Sequence, residues 1–160
     1  MNELLRLIKS FGYALRGIGY GIRTQRNLRI HLVALATVTV FNCLAQMSIT
    51  HWCIEILCCM LVISLELVNT ALEAACDKIS TKHHPLIGHA KDAAAGAVLV
   101  SAAGSVVVAL LLFFRGGSYR GNVVDWFARN PWGKYAVLAG AVLGLLFVFL
   151  PSILQKQKKT

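Results

Sequence analysis

Four long apolar segments dominate this chain of 160 residues. They cover residues 30–47, 52–76, 93–114 and 135–150, and a helix needs about 20 apolar residues to cross a bilayer. The fourth segment is the shortest, and we expect Pro151 to end it, because proline breaks a helix. Only 14% of the residues are charged, whereas a soluble domain carries about a quarter. The sequence therefore predicts an all-α membrane protein with four spans.

Another helix is predicted before the first span. Between residues 1 and 23, apolar side chains recur every three or four residues, which places them on one face of a helix. They are Leu4, Ile8, Phe11, Leu15, Ile18 and Ile22. Basic residues occupy other faces, and a basic helix with an apolar stripe typically lies in the membrane interface. The first predicted element is therefore an interfacial amphipathic helix.

Small residues recur at helical spacing in two of the spans. Ala97, Ser101 and Ser105 lie four residues apart in the third span, and Gly140 and Gly144 do so in the fourth. Small side chains at this spacing let membrane helices approach closely. Either these faces pack against other helices, or the small residues are scattered by composition alone.

The second span contains polar residues where hydrocarbon is expected. Its last turns read Glu66-Leu-Val-Asn-Thr-Ala-Leu-Glu-Ala-Ala-Cys-Asp77. At about 100° per residue, Asn69, Glu73 and Asp77 all lie within about 60° of Glu66 on a helix. Charged groups at membrane depth are costly and usually serve a function. These four residues, the acidic stripe, are therefore the strongest functional clue in the chain.

Two carboxylates on one helix face can divide two tasks. Glu66, the deeper one, can accept a proton from a hydroxyl, and Glu73 can hold a hydrated Mg²⁺ that shares phosphate oxygens. Lys91 and Asp92, at the mouth of the third span, can neutralise and orient phosphate. Polarity alone leaves two further interpretations open, a proton relay in a small transporter and structural groups bonded to a neighbouring helix. Glu55 shares the same face, and we expect it to be a solvated helix start.

The basic residues indicate an orientation in the membrane. The formal net charge is +9, but the basic residues flank apolar spans, which fits anionic headgroups or a phosphate-bearing substrate better than nucleic acid. Six Lys and Arg precede residue 30, three lie in 77–92 and three follow Pro151, against four in 115–134 and none in 48–51. Cytoplasmic loops are enriched in Lys and Arg. Both termini are therefore predicted to be cytoplasmic, and the acidic stripe ends on that side.

The run from Glu66 to Asp77, followed by His84 and Ala90-Lys-Asp92, resembles the signature of the bacterial integral-membrane diacylglycerol kinases and undecaprenol kinases. Segments 11–17 and 26–31 also resemble this family and lean toward its undecaprenol kinase branch. The likeness extends from about residue 4 to residue 114. It divides the chain into a predicted lipid kinase core and an added segment with a loop, a fourth span and a basic tail, at residues 1–114 and 115–160.

The resemblance implies an enzyme that uses ATP and Mg²⁺ to phosphorylate the hydroxyl of a membrane lipid. It implies a homotrimer in the bacterial inner or plasma membrane, in which each subunit has an interfacial helix and three spans. The active sites lie at the cytoplasmic interface and are shared between neighbouring subunits. Undecaprenol and diacylglycerol both remain open as the lipid.

The resemblance also implies roles for individual residues. Glu66 matches the general base and Glu73 a metal ligand, while Asn69, Asp77 and Asn27 match supporting positions. The residues that match ATP-contacting positions are Arg6, Tyr13, Gln25, Glu73, Lys82, His83, His84, Lys91 and Asp92.

The chain departs from the family pattern in two places. The family usually has a glutamate two residues before Asn27 as a second metal ligand, and here that residue is Gln25. An amide oxygen can coordinate Mg²⁺ but brings no charge, so we expect weaker metal binding or a rearranged site. A non-catalytic membrane scaffold that has lost metal affinity is the rival interpretation. The fourth span goes beyond the usual three, and the resemblance implies no role for it.

Overall fold

The computed structural model describes residues 3–79, 84–115 and 119–157 of the chain. These residues are almost entirely helical. The helices are α1 (Glu3–Thr24), α2 (Arg26–Ala45), α3 (Ile49–Ile79), α4 (Pro85–Arg115), α5 (Tyr119–Arg129) and α6 (Gly133–Gln157). Within these ranges α2, α3, α4 and α6 are long and apolar enough to cross a membrane. The prediction of an all-α membrane protein with four spans is confirmed.

The antiparallel helices α3 and α4 form the most extensive helix–helix contact among the described residues. An ion pair between Asp77 and Lys91 joins them at one end. Towards the other end, the Ser105 hydroxyl donates a hydrogen bond to the Cys58 carbonyl over 3.5 Å. Of the small-residue series in the third span, Ser105 therefore contributes to the contact between the two helices, whereas Ala97 is exposed. Helix α2 packs beside α3, and α1 contacts both α2 and α3.

The chain breaks its helical path at Gln25, between α1 and α2. Gln25 has an extended backbone with φ −102° and ψ 116°, and its N–H donates to the Gly21 carbonyl over 2.8 Å. Gly21 itself is buried. A Cβ atom there would lie 2.8 Å from the Leu28 side chain and 3.0 Å from the Leu67 side chain. The absence of a side chain at Gly21 therefore lets the end of α1 lie directly against α2 and α3.

The added segment contains a helix, α5, where the sequence predicts a loop. Helix α5 packs on α2, and the Asn122 side-chain amide donates to the Ala45 carbonyl at the end of α2 over 2.7 Å. Val123, Val124 and Phe127 recur at helical spacing, but the segment is too short to stand out by hydropathy.

Helix α6 continues through Pro151 to Gln157, so the expectation that this proline breaks the helix is wrong, although its candidate span among the described residues is Gly133–Pro151. Proline removes one N–H from the helix, but membrane helices tolerate this loss when neighbouring groups satisfy the freed carbonyls. Helix α6 packs on α2. A Cβ atom at Gly144 would lie 3.1 Å from the Val33 side chain, whereas a Cβ at Gly140 would have no neighbour within 4 Å. Of the two glycines, Gly144 therefore marks the close approach.

Candidate active site

Burial decreases along the acidic stripe of α3. Glu66 is only 2% exposed, Asn69 is buried, Glu73 is half-buried and Asp77 is exposed. The helical period puts these side chains on one face. The stripe therefore passes from the interior of the helix bundle to its surface over three turns, with one carboxylate held deep and the next near the edge.

Glu73 is bonded by two amides from different parts of the chain. Asn69, one turn earlier on α3, donates from Nδ2 to Glu73 Oε1 over 3.4 Å. Gln25, at the break between α1 and α2, donates from Nε2 to Glu73 Oε2 over 3.3 Å. Hydrogen bonds to a carboxylate fix its orientation. The site is thus shared between α3 and the α1–α2 break.

The outer end of the stripe is joined to α4. Lys91 donates to Asp77 in a hydrogen-bonded ion pair, and Asp92, the next residue, is exposed. The ammonium group of Lys91 therefore lies at the edge of the acidic stripe, where it can meet a second anionic group.

A cavity of about 260 Å³ opens beside Glu66. Its polar wall is formed by Asn27 and His31 from α2 and by Glu66 and Asn69 from α3. Apolar residues complete the lining, and they are Ile30, Ala95, Val98, Leu99 and Ala102. The Asn69 Oδ1 atom is buried and makes no hydrogen bond within the described part of the chain. The cavity therefore combines a deep carboxylate and a free acceptor with hydrocarbon surface, which suits a lipid that carries a hydroxyl.

A second, more apolar cavity of about 250 Å³ adjoins the first and shares His31 and Ala102 with it. It runs between α2, α3 and α4 as far as Glu55. Glu55 is only 6% exposed, so the expectation of a solvated helix start is wrong. The periodicity that places Glu66 inside the bundle also turns Glu55 inward, since the two residues are 11 positions apart.

Glu73 offers one carboxylate of the kind that binds magnesium. Mg²⁺ is usually bound by one or two carboxylates together with substrate phosphates, and it keeps several waters. The amides of Asn69 and Gln25 turn their N–H groups towards Glu73. Within the three described ranges, no group of three His, Cys, Asp or Glu side chains comes together. Glu73 is therefore a single protein ligand of the kind that a nucleotide's phosphates and water would complete.

Three other predicted nucleotide residues are described by the structure, and their contacts lie elsewhere. Arg6 hydrogen-bonds to Glu3 in α1 over 3.1 Å, and the Tyr13 ring lies 4.7 Å from the Arg16 guanidinium. His84 is exposed just before α4. Lys82 and His83 lie outside the described residues. The structure thus brings Gln25 and Asn69 to Glu73.

Two residues near the site were missed in the sequence. Arg29 is buried in α2, and His31 lines both cavities. In the sequence, Arg29 serves only as one of the basic residues that indicate orientation and as part of the family-like segment 26–31. The available signal is its position directly before the predicted span 30–47, where a guanidinium needs acceptors within the protein.

The fold and this site define a multi-pass membrane protein with an acidic cavity between its spans. The family described as prokaryotic diacylglycerol kinase matches residues 12–113. The chain belongs to the prokaryotic diacylglycerol kinase family, and it is a lipid kinase. The resemblance stated from the motifs is confirmed, and α5 and α6 lie outside the matched residues.

Individual relatives agree with this assignment. The chain is 48% identical over 112 residues to an undecaprenol kinase of Bacillus subtilis, across 70% of this chain and 91% of that protein. It is 41% identical over 104 residues to a diacylglycerol kinase of Synechocystis, across 64% and 59%. It is 30% identical over 109 residues to a diacylglycerol kinase of Escherichia coli, across 68% and 89%. No solved structure matches the chain.

Proposed function

We propose that the chain transfers the γ-phosphoryl group of ATP to the hydroxyl of a membrane lipid in the cavity beside Glu66. One observation carries this proposal. A buried carboxylate faces a cavity with apolar walls, and a second carboxylate, bonded by two amides, follows two turns along the same helix. A lipid kinase needs such a pair, because the lipid hydroxyl and the nucleotide phosphates must meet at the membrane surface.

Glu66 is the general base of the proposed reaction. It accepts the hydroxyl proton while the lipid oxygen forms a bond to the γ-phosphorus. The bond from this phosphorus to the bridging oxygen breaks, and ADP leaves. Phosphoryl transfer depends mainly on positioning and on stabilising charge. The buried position of Glu66 excludes water, so that the lipid hydroxyl is the favoured acceptor.

Glu73 is the proposed magnesium ligand, and Gln25 is the second position of the same site. Bound Mg²⁺ supplies charge neutralisation at the transferred phosphoryl group. Asn69 orients the Glu73 carboxylate from within α3, while Asn27 lines the hydroxyl cavity. These amides keep the second carboxylate in place before the nucleotide arrives.

Lys91 and Asp92 are proposed to contact the nucleotide, and Asp77 holds Lys91 at the edge of the stripe. Arg6, Tyr13 and the segment Lys82-His83-His84 complete the proposed nucleotide set. We extend the proposal to a homotrimer with shared sites, as the family resemblance implies. In such an assembly Arg6 and Tyr13 can serve the site of a neighbouring subunit.

The acceptor class that we propose is a long-chain lipid alcohol, either undecaprenol or diacylglycerol. The names of the relatives support both. The apolar part of the cavity beside Glu66 suits the hydrocarbon chains of either lipid. The proposed location is the bacterial inner or plasma membrane. Four spans are an even number of crossings, which supports an arrangement with both termini on one side of the membrane. The distribution of basic residues favours the cytoplasmic side.

The test is transfer of label from γ-labelled ATP to lipid by the purified full-length protein in mixed micelles. Each lipid alcohol is supplied in turn, with Mg²⁺ or with a chelator. We expect labelled lipid only with Mg²⁺, and a large loss for Glu73→Gln. A folded protein that labels neither lipid would contradict the proposal and favour the non-catalytic scaffold. Labelling that persists in full without Mg²⁺ would contradict the metal site alone.

A further inference from the structure

Helix α6 is seated on α2 at two levels. Gly144 lies against Val33, and four residues further along α6 the Val148 carbonyl accepts a hydrogen bond from Arg29 Nε over 3.0 Å. Arg29 precedes Val33 by four residues, so the two helices run antiparallel. Val148 is buried. The helix outside the family match is therefore in contact with the part of α2 that leads into the site.

Arg29 connects three helices through its guanidinium. Besides the Val148 carbonyl of α6, it donates from Nη1 to the Ile22 carbonyl over 2.9 Å and to the Arg23 carbonyl over 3.3 Å, both in the last turn of α1. Arg29 is only 1% exposed. The planar, forked guanidinium can hold several acceptors at once in fixed directions. It therefore ties the end of α1 to both α2 and α6.

The end of α1 that Arg29 holds leads directly to Gln25. Arg23 is two residues before Gln25, and the Gln25 N–H is bonded to the Gly21 carbonyl over 2.8 Å. Gln25 in turn donates to Glu73 over 3.3 Å. A continuous set of contacts thus runs from Val148 through Arg29 and the α1–α2 break to Glu73.

The acceptor on α6 lies in the turn before Pro151. Proline has no N–H, so the carbonyl of Phe147, four residues before Pro151, lacks its helical donor. Val148 is the next residue, and its carbonyl accepts from Arg29. The guanidinium of α2 therefore meets α6 beside the position where the helical hydrogen-bond series is incomplete.

We propose that Arg29 is a positioning residue and that α6 acts through it on the metal and nucleotide site. Helix α6 holds Arg29, Arg29 holds the α1–α2 break, and the break holds Gln25 at Glu73. This inference rests on the proposed function, in which Gln25 and Glu73 bind magnesium and nucleotide. It gives the fourth span a role in the kinase, although that span lies outside the matched residues 12–113.

Two matched glycines test the inference in the full-length protein. Gly144→Leu places a side chain against Val33, and Gly140→Leu, one turn away, places the same side chain in open space. We expect Gly144→Leu to raise the Mg²⁺·ATP concentration for half-maximal activity by roughly 2- to 30-fold. The concentration of lipid for half-maximal activity should not change. Gly140→Leu should match the wild type in both.

Arg29→Met removes the link directly and should raise the same concentration. Because both changes act through one link, the double variant Gly144→Leu/Arg29→Met should be no worse than Arg29→Met alone. Gly144→Ala is a milder change that keeps the protein folded if leucine does not. Its smaller defect should be rescued by Val33→Ala, which removes the side chain that the new methyl group meets.

Several outcomes would overturn the inference. One is an unchanged Mg²⁺·ATP dependence in Gly144→Leu, and another is an equal effect of Gly140→Leu. Strict additivity of Gly144→Leu and Arg29→Met would also contradict a shared link. The thermal shift produced by Mg²⁺·ATP is measured in parallel without lipid. If the wild type labels no lipid, the proposed function fails, while this shift still decides whether α6 affects nucleotide binding.

Discussion

Glu66 and Glu55 are two buried acids on one face of α3, but their surroundings differ. Both are at most 6% exposed, and about 17 Å separates them along the helix axis. Glu66 lies in a cavity with Asn27, His31 and Asn69. The Glu55 Oε2 atom has no hydrogen-bond partner among the residues that the structure describes. Burial of an acid therefore does not by itself identify a candidate catalytic residue. His31 lines the cavities of both acids, whereas Asn27 and Asn69 line the cavity of Glu66 and not that of Glu55.

The largest expected difference between the two acids is in catalysis. Glu66→Gln should lower kcat for lipid phosphorylation by about 10²- to 10⁴-fold, the usual contribution of a general base. Glu55→Gln is the matched control, because it makes the same change on the same helix face and should leave kcat close to the wild-type value. Initial rates with labelled ATP at saturating lipid measure both. Equal losses of kcat in the two variants would contradict the assignment of the general base to Glu66 rather than to any buried acid of α3.

The next test concerns Gln25, whose amide contacts Glu73 on the same helix as Glu66. Gln25→Glu places a second carboxylate beside Glu73, which favours cation binding because more ligand charge strengthens a magnesium site. The Mg²⁺ concentration for half-maximal activity should fall by roughly tenfold. Gln25→Ala, which removes the amide without adding charge, should not show this fall. An unchanged Mg²⁺ dependence in Gln25→Glu would show that this position is not a ligand.

For Glu55, the expected effect of substitution is on the stability of the protein. Glu55→Leu replaces a buried acceptor that lacks a partner, and it should raise the free energy of unfolding by about 1 kcal/mol. Denaturant titration in detergent micelles measures the change, and Glu55→Gln should gain less because it keeps polar atoms in the same cavity. A clear loss of stability in Glu55→Leu would mean that Glu55 has a partner in the assembled protein.

The smallest expected effect is at the exposed end of the acidic stripe. Asp77→Asn removes the charge that pairs with Lys91, but the two side chains are 69% and 33% exposed. Solvent screens such a pair, so the free energy of unfolding should fall only slightly. A double-mutant cycle with Lys91→Met isolates the pair from other contacts. A coupling larger than the stability change in Glu55→Leu would mean that the pair is a main structural link between α3 and α4.

Periodicity and hydropathy were sufficient to predict the spans and the acidic stripe. The inward direction of Glu66 follows from the sequence because it repeats with Asn69 and Glu73 on one face. The same rule applied to Glu55 would have predicted its burial, but its place near the start of α3 suggested solvent instead. In the structure Glu55 is buried. The face of the helix on which a residue lies therefore predicts its burial better than its distance from the helix end.

Other features depend on contacts between distant parts of the chain. The path of α6 through Pro151 depends on neighbouring helices that no local pattern describes. The Arg29 contact joins residues 119 positions apart, and the short α5 is stabilised by its contacts with α2. The contact of Gln25 with Glu73 is also long-range. Family resemblance placed Gln25 in the site, whereas spacing alone did not.

The length of α3 sets how far Glu66, the proposed general base, lies from water. The helix has 31 residues, which is about 46 Å, whereas the hydrocarbon core of a bilayer is about 30 Å thick. Glu66 occupies a fixed place on this rigid rod. A thicker host bilayer therefore covers more of the rod, and a thinner one leaves more of it in water. The rate of the kinase should consequently vary with the acyl-chain length of the surrounding lipid, even at constant concentrations of both substrates.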